Sequence, residues 1–518
     1  SSDLIIQKFI RGMVRRQRSL LKRGTTLLLN LSLKLNKREF EYDIYSLIRA
    51  FYPGSTIRIW YEGDELPDSD YSYQYQVIYE ESSITFLVFE RDQEISRTIT
   101  RISAQADRRE RKNYVKKLVY KALAKITKRE LPWGDLTGIR PSKIVMGMLE
   151  DGKTNVEAAT LMRDTYGISP DKTALAITVA NKERELLNKF NYKDGYSLYV
   201  GIPFCPSICL YCSFGSHPMS QWNYMVESYL DALCKELKFI ASKMKGRSCD
   251  TIYIGGGTPT TLSPDQLERL LRFIQSIFPM KGVKEFTVEA GRPDTITREK
   301  LMILKRYPVT RISINPQTMN QETLDLIGRR HTVEDIISKY NLAREMGFDN
   351  INMDLIVGLP GEHKEQVSRT LKQIKAMNPD SLTIHSLALK RAARLNLFKD
   401  MYDEISFENS QEIMQMTADC AYGMDMDPYY LYRQKDIAGN FENVGYAKLD
   451  KEGIYNILIM EEKQTIMAAG AGASTKFVFQ GGRRTLRAEN VKDLKNYVER
   501  IDEMLKRKEA GIKEISTQ

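Results

Sequence analysis

From Tyr196 to Leu387 short apolar runs recur along the chain, each followed by an amphipathic stretch. The runs are Leu198 to Ile202, Thr251 to Ile254, Glu285 to Glu289, Arg311 to Asn315, Asn350 to Val357 and Ser381 to Leu387. Apolar runs alternating with helix-compatible segments are the pattern of βα units around a parallel sheet. Six such units predict an α/β fold built on a partial (β/α)6 barrel over residues 195–395.

The flanks have a different texture. Leu27 to Leu35 and Ser83 to Phe89 alternate as strands do, with a helical stretch at Asp43 to Tyr52 between them, which predicts an α+β module over residues 1–95. Helical periodicity rich in Lys and Arg then runs from Thr98 to Phe190, so residues 96–194 are expected to form a helical region. A Pro/Gly-rich loop at Leu131 to Lys143 breaks it, as a boundary or docking element. Beyond Leu395 the pattern is helical to Tyr422. Gly-rich loops are expected at Ala438 to Tyr446 and Gly470 to Ser474, and a charged helix at Val491 to Lys508. Residues 396–518 are therefore read as a smaller C-terminal domain. No internal repeat or low-complexity tract is present.

Composition narrows the class. No stretch approaches ~18 consecutive apolar residues, so no membrane insertion is expected. Residues 1–9 lack the basic, apolar, small-residue order of a secretory signal, which predicts a cytoplasmic location. The net charge of +10, from 77 basic and 67 acidic residues, is dense near Arg11, Arg15, Arg16, Arg18, Lys22 and Arg23. Such a field favours acidic partners, and a solvated charged face is its commonest cause. The N-terminal strands lack the aromatic pattern of an RNA-binding sheet, so no nucleic-acid partner is expected.

Six cysteines in 518 residues, three of them within eight positions, do not form a disulfide framework. Cys205, Cys209 and Cys212 stand in a CxxxCxxC spacing on the loop after the first barrel strand, where backbone can curl around a cofactor. Three thiolates can hold three irons of a [4Fe-4S] cluster and leave the fourth open to a chelating ligand. The amino and carboxylate groups of S-adenosylmethionine (SAM) fit that vacancy. The alternatives are unconnected cysteines or a zinc site with His217 as fourth ligand, although C-x3-C-x2-C-x4-H is not a common zinc spacing. Cys234, Cys249 and Cys420 fall on or beside expected helices and read as packing residues. The second strand runs into Gly255-Gly-Gly-Thr-Pro-Thr260, whose glycines let backbone approach a ligand. Later strands end in polar residues, Glu289, Gln317 and Asp354, and a buried carboxylate there needs a partner such as a ribose hydroxyl, an ammonium or Arg329. Asp354 could instead staple the barrel.

With these motifs in place, the chain resembles the oxygen-independent coproporphyrinogen III oxidase-like radical SAM enzymes, most closely their longer HemZ-type members. The likeness covers Tyr196 to Phe479. It rests on Tyr199 with Ile-Pro-Phe-Cys205, the cysteine triplet, Gly255 to Thr260, Arg311-Ile-Ser-Ile-Asn-Pro-Gln317, Gly328-Arg-Arg-His-Thr332, Asn352 to Glu362 and Gly470-Ala-Gly-Ala-Ser474. Outside that span, Pro132-Trp-Gly-Asp-Leu-Thr-Gly-Ile-Arg-Pro141 resembles the HemZ type, and the N-terminal region is expected to dock a partner or cover substrate. The resemblance implies that Tyr199, Gly256 and Glu289 lie beside cluster-bound SAM. It implies that Gly257, Thr258, Gln317, Arg329, Asp354 and Ala388 line a second SAM or substrate pocket, so one or two SAM molecules are expected. Tyr211 and Ser474, in the matching cysteine and Gly470 motifs, complete the expected cofactor-binding set, and Tyr199, Glu289 and Arg329 are the expected catalytic residues.

The implied activity is oxidative decarboxylation of two propionates of coproporphyrinogen III, or of another tetrapyrrole, to vinyl groups in haem biosynthesis, with a flavodoxin- or ferredoxin-like electron donor. A substrate with four carboxylates calls for a basic pocket, for which Arg311, Arg329, Arg330, Arg391, Arg394 and Arg433 are candidates. His331 and His385 could donate protons or bond a carboxylate. Two positions depart from the family pattern: Gly201 stands where relatives often have His, and Phe214 where a further cysteine occurs. A radical SAM methyltransferase or haem-opening enzyme, and a haem-trafficking chaperone, are the alternatives. Those chaperones also lack the extra cysteine, but Tyr446 is followed by Ala447 and not by their His-Asn-x-x-Tyr-Trp pattern.

Overall fold

The computed structural model describes residues 29–65, 70–103, 105–137, 140–213, 215–388, 409–434 and 440–516. They divide into two compact units. One comprises Ser1–Ile177 with Arg433–Glu442, the other Thr178–Tyr432 with Asn443–Gln518. The N-terminal arginine cluster, Phe214, Arg391 and Arg394 lie outside the described residues.

In the first unit, strands β1 (Asn30–Leu35), β2 (Thr56–Tyr61), β3 (Tyr73–Tyr79), β4 (Ser83–Glu90) and β5 (Gln93–Arg101) form one sheet in the order β2-β1-β3-β4-β5. β1 runs parallel to both its neighbours, and the other pairs are antiparallel. Helices α1 (Glu41–Phe51) and α2 (Arg108–Thr127) share a core with it. Leu31, Leu33 and Leu35 on alternate positions of β1 meet Ile44, Leu47 and Phe51 of α1 and Val115 and Val119 of α2. Asp107 starts α2 with a reciprocal capping box to Glu110. Three more helices follow, α3 (Pro141–Glu150), α4 (Asn155–Tyr166) and α5 (Pro170–Asn188), and the division between units falls within α5. The Pro132 to Pro141 loop belongs to this unit. The Trp133 indole N–H donates to Glu442 at 2.7 Å, and the Arg433 guanidinium lies over the Trp133 ring and donates to the Leu136 carbonyl. Burial lowers Arg433 to about 10.

The second unit holds the expected barrel strands: β6 (Tyr196–Ile202), β7 (Cys249–Gly256), β8 (Glu285–Glu289), β9 (Arg311–Ser313), β10 (Ile351–Val357) and β11 (Ser381–Ser386). Each is parallel to the next. The sheet does not close on itself. Beyond β11 it continues through the antiparallel β13 (Asn443–Ala447) and β12 (Asp427–Tyr432), and beyond β6 through β14 (Thr465–Ala469), β15 (Ser474–Phe479) and β16 (Arg484–Glu489). The full order is β12-β13-β11-β10-β9-β8-β7-β6-β14-β15-β16. The C-terminal stretch thus extends the barrel sheet.

The crossover helices are α6 (Val226–Lys243), α7 (Pro264–Ile277), α8 (Arg298–Arg306), α9 (Gln321–Leu326), α10 (Val333–Glu345) and α11 (Lys364–Met377). α7 shows why they form. Ser263 caps it, Pro264 fits its first turn, and Leu267, Leu270, Leu271 and Ile274 recur on one buried face. Burying four such side chains contributes about 1.5–3 kcal/mol each. α12 (Gln411–Tyr422), α13 (Ile454–Glu461), α14 (Leu494–Glu499) and α15 (Ile501–Ser516) complete the unit.

Three local expectations are corrected. Asn443 to Tyr446 was expected within a loop and is strand β13, because antiparallel pairing to β11 and β12 satisfies its backbone on both edges. Cys249 opens β7 and is not beside a helix. The charged tail is two helices, and its Lys508 is fully buried. No helix of the described residues is long and apolar enough to cross a membrane.

Candidate active site

Apart from the exposed Gly256 at the end of β7, the barrel strands are buried on both faces except at single half-exposed positions: Tyr199 on β6, Tyr253 on β7, Glu289 on β8, Asp354 on β10 and His385 on β11. These five converge. Tyr199 and Tyr253 are paired in register and their rings stack at 6.2 Å, with Tyr455 of α13 completing the stack at 4.5 Å from Tyr253. The Tyr253 hydroxyl donates to Glu289 at 2.5 Å. Asp354 accepts from the Asn352 amide at 2.7 Å and lies 3.7 Å from His385, whose other ring nitrogen is 3.1 Å from the Tyr432 hydroxyl.

Burial pushes the Glu289 carboxyl up to about 7, and the nearby Asp354 charge adds to this against the Tyr253 and Gly256 hydrogen bonds. For Asp354, burial works in the same direction but is outweighed by His385, Asn352 and Thr383, which hold it below the usual carboxylate range. Burial, reinforced by Glu289, keeps Tyr199 a neutral phenol. The lumen therefore holds one carboxylate beside an imidazole and one that is hydrogen-bonded and in no ion pair among the described residues.

The cysteines sit where β6 ends. None of Cys205, Cys209 and Cys212 is in a disulfide. Cys205 is 3.6 Å from the Thr258 hydroxyl, and Cys209 is 3.5 Å from the Arg292 guanidinium. Arg292 is bidentate to Asp294 at 3.0 and 2.8 Å, and the buried His331 lies 3.7 Å from the same carboxylate. The loop is tied down by Leu210 N–H to the Ile327 carbonyl at 3.0 Å and Ser207 Oγ to the Gly328 carbonyl at 3.1 Å. Tyr211 packs on Ile327, Ile356, Leu359 and Leu387.

The glycine loop lies directly against the cysteine loop. Gly257 N–H donates to the Ile202 carbonyl at 2.8 Å and Thr258 N–H to that of Phe204 at 2.7 Å. A Cβ at Gly257 would come within 2.5 Å of the Phe204 carbonyl oxygen, and one at Gly255 within 2.9 Å of the Glu289 carboxylate. Gly256 has φ +107°, outside the range of other residues.

Around this mouth several buried polar atoms have no partner among the described residues: Asn315 Oδ1, Gln317 Oε1, Arg329 Nε and Ser474 Oγ. Gln317 sits at φ +66°, held there by backbone bonds to Asp354 and Ile356 at 2.9 Å each. Orphaned polar atoms and a left-handed non-glycine beside a cleft are marks of a ligand site. Ala388 lies half-buried just past β11.

The four described arginine candidates do not come together in one pocket. Arg311 opens β9 at the opposite end of the strand and donates to Asn350 and the Lys451 carbonyl, near Glu285. Arg329 is 4% exposed and donates to the Asn315 carbonyl, with those of Pro316 and Gly291 at 3.4 Å. It joins two mouth loops. Arg330 is exposed, and Arg433 belongs to the other unit. Sequence reasoning passed over Tyr253 and Arg292. A signal existed for Tyr253, which occupies the position of β7 in register with Tyr199.

Three cysteine thiols on one loop, none of them in a disulfide, fit a [4Fe-4S] cluster, in which each sulfur would hold its own iron. No three His, Cys, Asp or Glu side chains among the described residues converge on one metal ion. The glycine cradle, the orphaned acceptors and the uncompensated Glu289 fit a polar, cationic ligand such as SAM.

The Radical SAM superfamily model matches residues 199–374. Over 374 residues the chain is 42% identical to the oxygen-independent coproporphyrinogen-III oxidase-like protein HemZ of Bacillus subtilis (strain 168), covering 71% of this chain and 75% of that protein. The chain belongs to this radical SAM family. It is also 32% identical over 317 residues to the heme chaperone HemW of Bacillus subtilis (strain 168), covering 59% of this chain and 76% of that one. Among solved structures, coproporphyrinogen III oxidase (HemN) from Escherichia coli matches with a TM-score of 0.49 and 26% identity, over 61% of this chain and 71% of that one. Radical SAM membership implies a [4Fe-4S] cluster and SAM.

Proposed function

We propose that this radical SAM protein removes propionate carboxyl groups from coproporphyrinogen III, or from another tetrapyrrole, to leave vinyl groups. When bound, the cluster and SAM supply a carbon radical able to take a hydrogen atom from the substrate. For each propionate, –CH2–CH2–COO⁻ becomes –CH=CH2 plus CO2. One hydrogen atom leaves with the adenosyl fragment and one electron passes to an acceptor. The observation that carries this reading is the 42% identity to the oxidase-like HemZ, joined to a lumen that brings Tyr199, Tyr253, Glu289, Asp354 and His385 together beside the cysteine loop.

The residues divide the work. Cys205, Cys209 and Cys212 would hold the cluster, and the Gly255 to Thr258 loop, Gln317 and Ser474 would receive SAM. Glu289 offers the carboxylate that a cationic ligand would complete. Asp354, oriented by Asn352 and His385, is set to accept hydroxyl groups. The tyrosine stack walls the lumen against water and fixes the orientation of what enters. A flavodoxin- or ferredoxin-like carrier would bring the electron that opens the reaction, in the cytoplasm, where thiols stay reduced.

A test follows the hydrogen. Substrate deuterated at the propionate β-carbon, incubated anaerobically with reconstituted protein, SAM and reductant, is expected to yield deuterated 5'-deoxyadenosine. Unlabelled deoxyadenosine would contradict the reading. A second reading, haem trafficking, is favoured by the 32% identity to the chaperone HemW. It predicts tight haem binding with no deuterium transfer. A radical SAM methyltransferase would instead give a methylated product.

A further inference from the structure

Behind the Gly470 to Ser474 turn lies a network of charged and polar groups with no access to water. Glu236 of α6 and Lys508 of α15 are both fully buried and 2.6 Å apart. One Glu236 oxygen accepts from Lys508 and from the Asn490 amide at 2.8 Å. The other accepts from the Gly470 backbone N–H at 2.9 Å and the Tyr497 hydroxyl at 2.6 Å. Asn490 in turn accepts from Lys508 at 2.6 Å and donates to the Gly470 carbonyl at 2.8 Å. The carboxylate thus has four donors, and both backbone groups of Gly470 end on the network.

A second tie lies alongside. The buried Tyr229 hydroxyl donates to the Gly201 carbonyl at 2.5 Å and accepts from Ala471 N–H at 3.2 Å. It therefore bridges the end of β6, four residues before Cys205, to the turn after β14. Gly472 N–H and the Ala473 carbonyl are taken by Val491 and Asn490 at 2.8 and 2.9 Å. The approach is too close for any side chain at Gly470, where a Cβ would come within 2.6 Å of the Gly201 oxygen. A buried ion pair is a weak source of stability compared with apolar packing. Here its geometry is spent on one backbone turn beside the cysteine loop.

We infer that Glu236, Lys508 and Tyr229 are positioning residues that fix the Gly470 to Ser474 turn at the distance from the cysteine loop that SAM requires. The inference rests on the cofactor reading of that turn.

Full-chain variants separate positioning from packing. Glu236→Leu with Lys508→Met removes both charges and the acceptor for the Gly470 amide while keeping the space apolar. Tyr229→Phe removes only the bridging hydroxyl. In cluster-free protein, hydrogen exchange at the 470–473 amides is expected to quicken by about tenfold or more in the first and by several-fold in the second. Exchange in β9 and β10 stays at the wild-type rate. In reconstituted protein, equilibrium binding of SAM is expected to weaken by about tenfold in the double variant at unchanged iron content. Glu236→Gln with Lys508→Met, which keeps an amide oxygen for Gly470, is expected to recover most of that affinity.

Unchanged exchange at 470–473 in both the Leu–Met and Phe variants overturns the inference. So does equal loss of SAM affinity in the Gln–Met and Leu–Met pairs, which marks a merely structural role. If wild-type holoprotein binds no SAM while exchange quickens as expected, the cofactor reading fails and the pinning of the turn is upheld.

Discussion

Replacing Glu289 with Gln is expected to stabilise the cluster-free protein in alkali while weakening its hold on SAM. The Glu289 carboxyl titrates at about 7 in the fold against 4.5 for an ordinary glutamate. A raised carboxyl favours the protonated native state. The unfolded chain releases its proton first, so stability falls as pH rises from 4.5 through 7 and then levels off. The full difference corresponds to about 3 kcal/mol, of which roughly 1 has accrued by pH 5.5 and the remainder by pH 8.5. Glu289 is not sealed from the lumen, and screening by water leaves about 1–2 kcal/mol across that interval. At about 2 °C per kcal/mol, calorimetry of Glu289→Gln against wild type should show a melting-temperature gap that widens by about 2–4 °C between pH 5.5 and 8.5. A gap that is constant with pH, or that closes toward alkali, would refute the reasoning, because Glu289 would then already have a cation.

Further outcomes follow from the same geometry. A cationic ligand beside Glu289 binds its ionised form, so SAM affinity of wild-type holoprotein is expected to rise as pH passes about 7. The Glu289→Gln profile should be flat there, as equilibrium dialysis would record. Cys205→Ala, Cys209→Ala and Cys212→Ala are each expected to lose cluster iron and 5'-deoxyadenosine release, by iron assay and anaerobic chromatography. Gly257→Ala places a Cβ within 2.5 Å of the Phe204 carbonyl and 2.9 Å of that of Ile202, so the two loops must part. SAM affinity is expected to fall about tenfold or more, as a strained loop at a site implies. Lys508→Met alone leaves Glu236 a buried, uncompensated charge and is expected to destabilise the cluster-free protein by about 3–5 kcal/mol in urea titration.

The barrel was legible because its strands are wetted at so few positions. Residues such as Leu198, Ile254 and Val288 are buried wherever they point, and their continuous apolar runs say so without reference to distant partners. The Gly255 loop was legible because close approach excludes side chains, a demand that only glycine meets. β13 was not, because Asn443-Val-Gly-Tyr446 becomes a strand by pairing with β12 on one side and, on the other, with β11, some sixty positions away. The roles of the arginines were not legible for a related reason. A guanidinium suits a substrate carboxylate and a row of backbone carbonyls equally well, and composition cannot tell Arg329 bridging two loops from an open anion site. Lys508 reads as one more charge on a surface helix, and only the opposing Glu236, more than 250 positions earlier, makes it a core residue.

The most direct test of the central claim is mass spectrometry of coproporphyrinogen III after anaerobic incubation with the reconstituted chain, SAM and a low-potential reductant. Loss of two CO2 groups with formation of two vinyl groups, absent in Cys209→Ala, is the predicted result. Intact substrate alongside abundant 5'-deoxyadenosine, or a methylated product, would contradict it.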